Sequence, residues 1–399
     1  MKNQSYILIL ATWFLGNLDI HFFTPALPKI AGFFAVKQNI AQLSISLFLL
    51  GKAISMILWG ILSEYFGRKP IYIGGLFLFI LSNFFAALST SILILLIFRF
   101  LQGCAVGATI LMGRAMINDT QDEQRATRSF ACFFTLGGFF ICFLPFLGGL
   151  LNSYWSWQTA CIIVAAYALL LLPLSVCIKE TKSPHIYRLN KYMLISVFRH
   201  PIFIGYLLIS ALMMAGESAF NTSASFILIQ NSHWTFIQYG FAKTGMAVMH
   251  LVGTACCGLL VQYCSSRKLV ACGVYIFAFS ATLMFLFNIF FNALNLNFII
   301  PMMIYYFGTG FIVASATSAV VRPFPKQMAF TLALTLFFQF NCSALFSFIA
   351  GALGIVDTQS FMYLLCFISL VSLIVLNKLK HFERLVSRYS SSTCSKLNL

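Results

Sequence analysis

The sequence predicts an all-α integral membrane fold of twelve transmembrane helices in two six-helix, pseudo-symmetric halves. Three observations predict it. Hydrophobic residues fill 60% of the 399 positions and charged residues only 9%, too few charges to dress the water-facing surface of a soluble protein this large. Apolar stretches of the roughly 20 residues needed to cross a bilayer core recur twelve times. The chain also repeats itself without a gap at a shift of 198 residues: Asp19 falls on Glu217, Lys52 on His250, Gly60 on Gly258, Leu62 on Leu260, Tyr65 on Tyr263, Lys69 on Arg267 and Gly75 on Gly273.

Taken in order, the first span is 6–27, an apolar run that follows Lys2 and contains Asp19. No small-residue cleavage site closes it, so it reads as a membrane helix and not a secretory signal. Spans 41–63 and 70–89 flank a short glycine-bearing loop, and 91–117 and 127–150 carry Arg99 and Pro145 respectively. Span 157–178 completes the first bundle, residues 1–178, and a cytoplasmic linker at 179–200 divides the halves. The second bundle, 201–380, repeats the plan with spans 201–229, 238–262, 268–290, 296–320, 327–353 and 358–379, before a tail at 381–399. These runs are continuously apolar and too long for tilted strands, which excludes a β-barrel.

Lys and Arg outside the spans fix the orientation. With the amino terminus cytoplasmic, 19 of them fall on that side, among them Arg125, Arg128, Lys182, Arg188, Arg322, Lys326 and tail residues from Lys378 to Lys396; only Lys29 and Lys37 face the other way. Both termini are therefore expected in the cytoplasm. The net charge of +16 is mostly this bias and does not indicate nucleic-acid binding. Twelve cysteines without C-x-x-C spacing read as small packing residues, so no metal site is expected. No Walker loop is present, so ATP is not the energy source, and no cofactor is implied. Tyr6, Trp13, Trp155, Trp157 and Trp234 lie near span ends, as interfacial anchors do.

Several motifs stand in a fixed order. Between the second and third spans runs Gly60-Ile61-Leu62-Ser63-Glu64-Tyr65-Phe66-Gly67-Arg68-Lys69-Pro70, where the glycines permit close helix ends and Glu64 beside Arg68 and Lys69 can form an inter-helix charge clamp. This segment resembles the G-x-L-a-D-r-x-G-r-r loop of the major facilitator superfamily, with Glu64 for the acid and Tyr65 at a basic position. In the fourth span Arg99-Phe100-Leu101-Gln102-Gly103 resembles the family's R-x-x-q-G motif, and the following Gly107, Arg114 and Asp119 are similar to the R-a-x-i-x-D pattern of its drug:proton antiporter branch. Pro145-Phe146-Leu147-Gly148-Gly149 before Trp155-Ser156-Trp157 resembles that branch's antiporter signature, with Leu144 in place of a glycine. Asp19 with Pro25-Ala26-Leu27-Pro28 is similar to the opening of bicyclomycin/chloramphenicol-resistance transporters. The resemblance implies a conformational role for Gly60, Glu64, Gly67, Arg68, Lys69, Gln102, Gly103, Pro145, Gly148 and Gly149.

Ionised groups are costly in a membrane and point to function. Withdrawal of Asp19 from water penalises its charged form and makes reversible protonation possible, so Asp19 is the first candidate for proton coupling. Glu217, its repeat partner, is the second, and Arg99, which keeps its charge, is expected to bias the acids. Each acid has a bland alternative, that of a carboxylate paired with a base to hold helices together. Arg114 either snorkels or pairs with Asp119. Lys52, Arg114, Lys243 and His250 are expected to bind substrate, and the excess of embedded bases over Asp19 and Glu217 favours an anion-compatible cavity.

The expectation is a monomeric, proton-coupled secondary transporter that exports a small drug or metabolite, anionic or siderophore-like, by alternating access, with the bilayer, protons and solute as its partners. The rival within that class is a proton symporter importing an anionic metabolite or chelate. A membrane receptor or enzyme would require a metal cluster, a nucleophile constellation or an extramembrane domain.

Overall fold

The computed structural model describes residues 3–120, 123–181, 191–290, 296–321, 323–324 and 328–396. Among these there are helices and no strands, and twelve helices are long and apolar enough to cross a membrane. In chain order the elements are α1 (Asn3–Phe23), a 3-10 turn at Thr24–Ala26, α2 (Leu27–Phe33), α3 (Gln38–Phe66), α4 (Arg68–Ala87), α5 (Ile92–Thr120), α6 (Glu123–Tyr154) and α7 (Trp157–Val176). There follow α8 (Lys191–Phe198), α9 (Pro201–Ser225) with a π-helical turn at Phe226–Asn231, α10 (Phe236–Leu260), α11 (Ser266–Phe290), α12 (Leu296–Val321), α13 (Met328–Ala352) and α14 (Thr358–Lys396). The repeat is visible in helix starts: Phe236 and Ser266 open α10 and α11, 198 residues after Gln38 and Arg68 open α3 and α4.

Several boundaries differ from the sequence expectation. The first span runs Ile7–Phe33, because Pro25 and Pro28 sit in the first turns of the 3-10 segment and of α2, where a missing N–H costs nothing. Lys29 is thereby part of the span rather than of the loop, and its ammonium donates to Asn152 O and lies 4.4 Å from the Phe236 ring centroid. The tail is continuous with α14, which runs to Lys396. Trp157 is 2% exposed and packs on Phe33 and Phe34, so it is a core residue and not an interfacial anchor. Within the linker the structure contributes α8. Lys2, Lys182, Arg188, Arg322 and Lys326 lie outside the described residues, as do the side chains of Tyr6, Arg125, Arg128, Lys191, Arg384, Arg388 and Lys396.

Helix crossings rest on small residues, as expected where van der Waals contact replaces the hydrophobic effect. A Cβ at Gly103 of α5 would run into Phe48 O of α3, and one at Gly107 would meet Lys52 O at 3.0 Å. Gly75 on α4 abuts Ala108 of α5, while its repeat partner Gly273 on α11 abuts Ile312 of α12.

By packing, the chain forms two compact units: residues 1–187, 217–248 and 343–361 in the first, and residues 188–216, 249–342 and 362–399 in the second. This division cuts across α9, α10, α13 and α14 and so differs from the 1–178 and 201–380 halves drawn from the repeat. The physical reason is visible in the first unit, where residues from α9, α13 and the following turn bond to α3. Gln42 Nε2 donates to Ile355 O at 2.9 Å and Thr222 O at 3.4 Å, and Ser347 Oγ bonds to Ser46 Oγ at 2.9 Å and Thr222 Oγ1 at 2.7 Å.

Candidate functional site

The first unit contains a fully buried ion pair. Asp19, mid-helix on α1 and 3% exposed, accepts from Arg99 Nη1 of α5 at 2.6 Å, and Arg99 is 0% exposed. A guanidinium offers five N–H donors, and here it also donates to Gln102 Oε1 at 2.6 Å and to Ser44 O at 3.5 Å. Its flat faces are covered by Phe23 and Phe48, with centroids 4.0 and 4.6 Å away, an arrangement that offsets desolvation through the ring quadrupoles. Gln102 thus serves as a second acceptor for the cation. Nη2 of Arg99 finds no acceptor among the described residues, so the cation is held by fewer bonds than it can make.

A second group of charges lies in the same unit. Glu217 of α9 is within electrostatic reach of Lys243 on α10 and Lys52 on α3, and Arg114 of α5 acts on Lys52 in turn. Lys243 and Lys52 thus share the Glu217 carboxylate and Arg114 adds its charge at Lys52, a cation-rich row that holds three of the four expected substrate residues. Lys243 is 4% exposed and its Nζ finds no hydrogen-bond partner among the described residues, although it lies 5.8 Å from the Tyr239 ring centroid. His250 belongs to the second unit, where its Nδ1 is 2.6 Å from Thr309 Oγ1. Because that hydroxyl donates to Tyr306 O at 2.6 Å, His250 Nδ1 must be the donor.

Sequence reading missed His21, Tyr239 and Asn221. The Lys243 charge acts on His21, and the Nδ1 of His21, the hydroxyl of Tyr239 and Oδ1 of Asn221 are buried without partners among the described residues. Buried polar groups are normally satisfied, so His21 and Tyr239 leave unmade bonds close to the Lys243 ammonium. The signal was present for His21, which follows Asp19 by two residues, but a lone histidine in an apolar span carries no direction.

The antiporter-like signature positions this group. Gly148 of α6 packs against His21 O of α1, and Gly149 packs against Phe236 O of α10, with Gly240 of α10 lying 2.8 Å, measured from an added Cβ, from Pro145 O. Asn152 Nδ2 donates to Phe22 O and Gly148 O, both at 2.8 Å. The P-x-x-G-G turn is therefore a three-helix crossing, and Lys243 follows Gly240 by about one helical turn.

The loop motif lies at one helix end. Gly67 has φ +97°, a conformation that favours glycine, and the turn lets Arg68 Nη1 reach Glu64 at 2.8 Å and Arg68 Nε reach Asp119 at 3.3 Å. The backbone N–H groups of Arg68 and Lys69 donate to the Glu180 carboxylate at 2.9 and 3.1 Å, and Lys69 Nζ donates to Val176 O at 2.6 Å. Asp119 is thus engaged by Arg68 and by Thr181 at 3.4 Å, where Arg114 had been considered as its partner. Burial pushes the Asp119 carboxyl above its ordinary range against the opposing pull of Arg68. Glu180, an anion at the start of the linker, was not foreseen. Gly60 has only Leu111 Cδ2 near, at 3.8 Å from an added Cβ, so it is not a close crossing, contrary to expectation.

The family model described as Major Facilitator Superfamily matches residues 7–215. Among curated proteins, the uncharacterized MFS-type transporter YdgK of Bacillus subtilis is 28% identical over 221 residues, 53% of this chain and 55% of that protein. The multidrug resistance protein MdtL of Escherichia coli is 30% identical over 179 residues, 45% of each. The chain spans about half the length of the curated relatives it matches. Among solved structures, a D-xylose-proton symporter superposes with a TM-score of 0.75 at 14% identity, over 93% of this chain and 96% of that one. The nucleoside transporter NupG gives 0.73 at 14% identity, over 94% and 100%. At such identities the likeness is one of fold.

Proposed function

The chain belongs to the major facilitator superfamily, and on that premise we propose that it is a proton-coupled secondary transporter that exports a small organic anion from the cytoplasm. The observation that carries this reading is the Asp19–Arg99 pair, buried between α1 and α5 with an unmade Arg99 bond. Protonating Asp19 removes the anion and leaves a cation in a dry site, so the helices must rearrange to solvate it. Breaking a buried pair costs about 3–5 kcal/mol. One proton supplies about 2.3 kcal/mol per 100 mV of membrane potential and about 1.4 kcal/mol per pH unit, which is the same order.

The row Arg114, Lys52, Glu217, Lys243 supports a carboxylate-bearing substrate. A lipophilic cation would meet three cations and one anion, whereas a carboxylate can take up the bonds that Lys243 and Tyr239 leave unmade. Glu217 is then the second proton site or the group displaced by the substrate. Export is favoured by the P-x-x-G-G crossing of α6 with α1 and α10 and by the resemblance to drug:proton antiporters. Both termini lie in the cytoplasm on the basic-residue asymmetry, and the working unit is a monomer in the inner membrane.

Proteoliposomes with an imposed pH gradient test this. Solute efflux against proton entry is expected, abolished by Asp19→Asn with solute exchange retained; flux of solute and protons in the same direction assigns import. Lys243→Ala and Lys52→Ala are expected to weaken inhibition by carboxylates at least tenfold while leaving inhibition by lipophilic cations unchanged, and equal effects on both would overturn the anion reading.

A further inference from the structure

The second unit carries a groove of about 920 Å³ whose walls and mouth differ in character. At the mouth stand Arg267 and Lys268, the second and third residues of α11, with Lys380 of α14. Deeper along α11 the lining is Tyr275, Ile276 and Phe279, faced by Ile304 of α12. Among the described residues no acidic side chain lines it. From Arg267 to Phe279 the helix rises about 18 Å, which exceeds the roughly 15 Å thickness of one leaflet's hydrocarbon. The groove therefore begins at headgroup level and runs down through acyl-chain depth, open to the side: Tyr275 is 50% and Phe279 59% exposed.

Two further features concern the mouth. Lys380 Nζ donates to Tyr275 Oη at 2.8 Å and lies 4.9 Å from that ring's centroid, so the ammonium is folded inward over the groove rather than extended into water. Arg267 and Lys268 occupy the first turn of α11, which contains no acid, although the exposed N–H groups there favour negative charge. An anion placed among these cations is favoured by their charges and by the helix end together. Snorkelling alone would not bring cations from α11 and α14 to one rim.

We propose that this groove binds an anionic phospholipid, its phosphate held among Arg267, Lys268 and Lys380 and one acyl chain lying along Tyr275, Phe279 and Ile304. The chemistry that recognises it is a phosphate monoanion joined to a long apolar chain, and basic pockets between membrane helices suit such headgroups. The site is separate from the charge row of the first unit, and the proposal does not depend on what the protein transports.

The test uses the full chain purified in detergent. Native mass spectrometry with added phosphatidylglycerol or phosphatidylcholine would count retained lipids for the wild type, for Arg267→Gln/Lys268→Gln/Lys380→Gln, and for Lys378→Gln, an exposed cation outside the groove. The expected result is retention of phosphatidylglycerol in preference to phosphatidylcholine, reduced more than tenfold in the triple variant and unchanged in Lys378→Gln. Thermal unfolding without lipid should be alike in all three, and only the triple variant should lose the stabilisation given by phosphatidylglycerol. Equal retention of both lipids, undiminished retention by the triple variant, or an equal loss in Lys378→Gln would each overturn the proposal.

Discussion

Asp19→Asn and Arg99→Leu, alone and together, test whether the ion pair is a unit. In Asp19→Asn a guanidinium with 0% exposure loses its one carboxylate partner among the described residues, and breaking a buried pair from one side costs about 3–5 kcal/mol. Gln102 Oε1 remains 2.6 Å away and the rings of Phe23 and Phe48 still cover the cation, which places the loss near the lower end, about 3 kcal/mol. Arg99→Leu should cost less, because a stranded carboxylate can neutralise itself by binding a proton whereas a guanidinium cannot shed one. The double variant leaves no charge at this pair and should regain at least about 2 kcal/mol relative to the sum of the single losses. Denaturant titration in detergent gives the four stabilities, and proteoliposome flux gives the coupling. The expected pattern is a stable double variant that exchanges solute but does not accumulate it. Additive stability losses, or gradient-driven accumulation by the double variant, would refute the reasoning.

Three further outcomes follow from particular contacts. Gly67→Ala, at φ +97° and with its new Cβ 2.5 Å from Glu180 Oε2, should lower stability by about 2 kcal/mol, and Glu180→Gln should reproduce part of the loss; an unchanged melting curve counts against both. Gln42→Ala removes the donor to Ile355 O and Thr222 O, worth about 1–2 kcal/mol together. Maleimide should then label a Ser223→Cys reporter, buried in the wild type, about 5–30 times faster, and an equal rate rejects the seam as a restraint. His200, outside the spans and packed 5.3 Å from Phe324, has its pKa lowered by burial. Its contribution to stability is therefore complete above the unfolded value of about 6.5 and is lost as pH falls through that value towards the folded one. His200→Gln should flatten this slope in melts between pH 7.5 and about 5, and an identical slope would remove His200 as its cause.

The twelve helices were legible because the bilayer demands length and apolarity, although α10 and α11 each begin two residues before the expected 238 and 268. The continuation of the first span to Phe33 was hidden by Pro25 and Pro28, which read as a stop from the sequence but occupy first-turn positions in the structure. Side-chain direction was less legible. Asp19 and Arg99 stood out as charges in apolar runs, yet neither their 80-residue separation nor the position of Gln102 indicates that they meet. A helix such as α1, apolar on nearly every face, carries no amphipathic stripe from which rotation could be read. Gln42, Ser46, Thr222 and Ser347 were invisible for a related reason: common polar residues in a membrane span acquire meaning only from the partner across the crossing.

The geometry of α1 links the two groups of charges. Asp19 and His21 are two residues apart, about 200° around a helix, so one turn of α1 presents the carboxylate to Arg99 on one side and the imidazole to the Lys243 field on the other. Gly148 packs against the backbone between these faces, at His21 O, and leaves α1 little freedom to move one face without the other. If loss of the Asp19 charge frees α1 from Arg99, the movement must alter the His21–Lys243 side, and hence the affinity for an anion bound there. Asp19→Asn, which fixes the neutral state, should therefore shift the Kd of a transported carboxylate by about fivefold or more, the low end of typical coupling free energies. His21→Ala should reduce that shift while leaving the Asp19–Arg99 stability cycle intact. Isothermal titration of the purified wild type, both single variants and the double would decide it: a Kd indifferent to Asp19→Asn means that the two groups act independently and that α1 is only a wall between them.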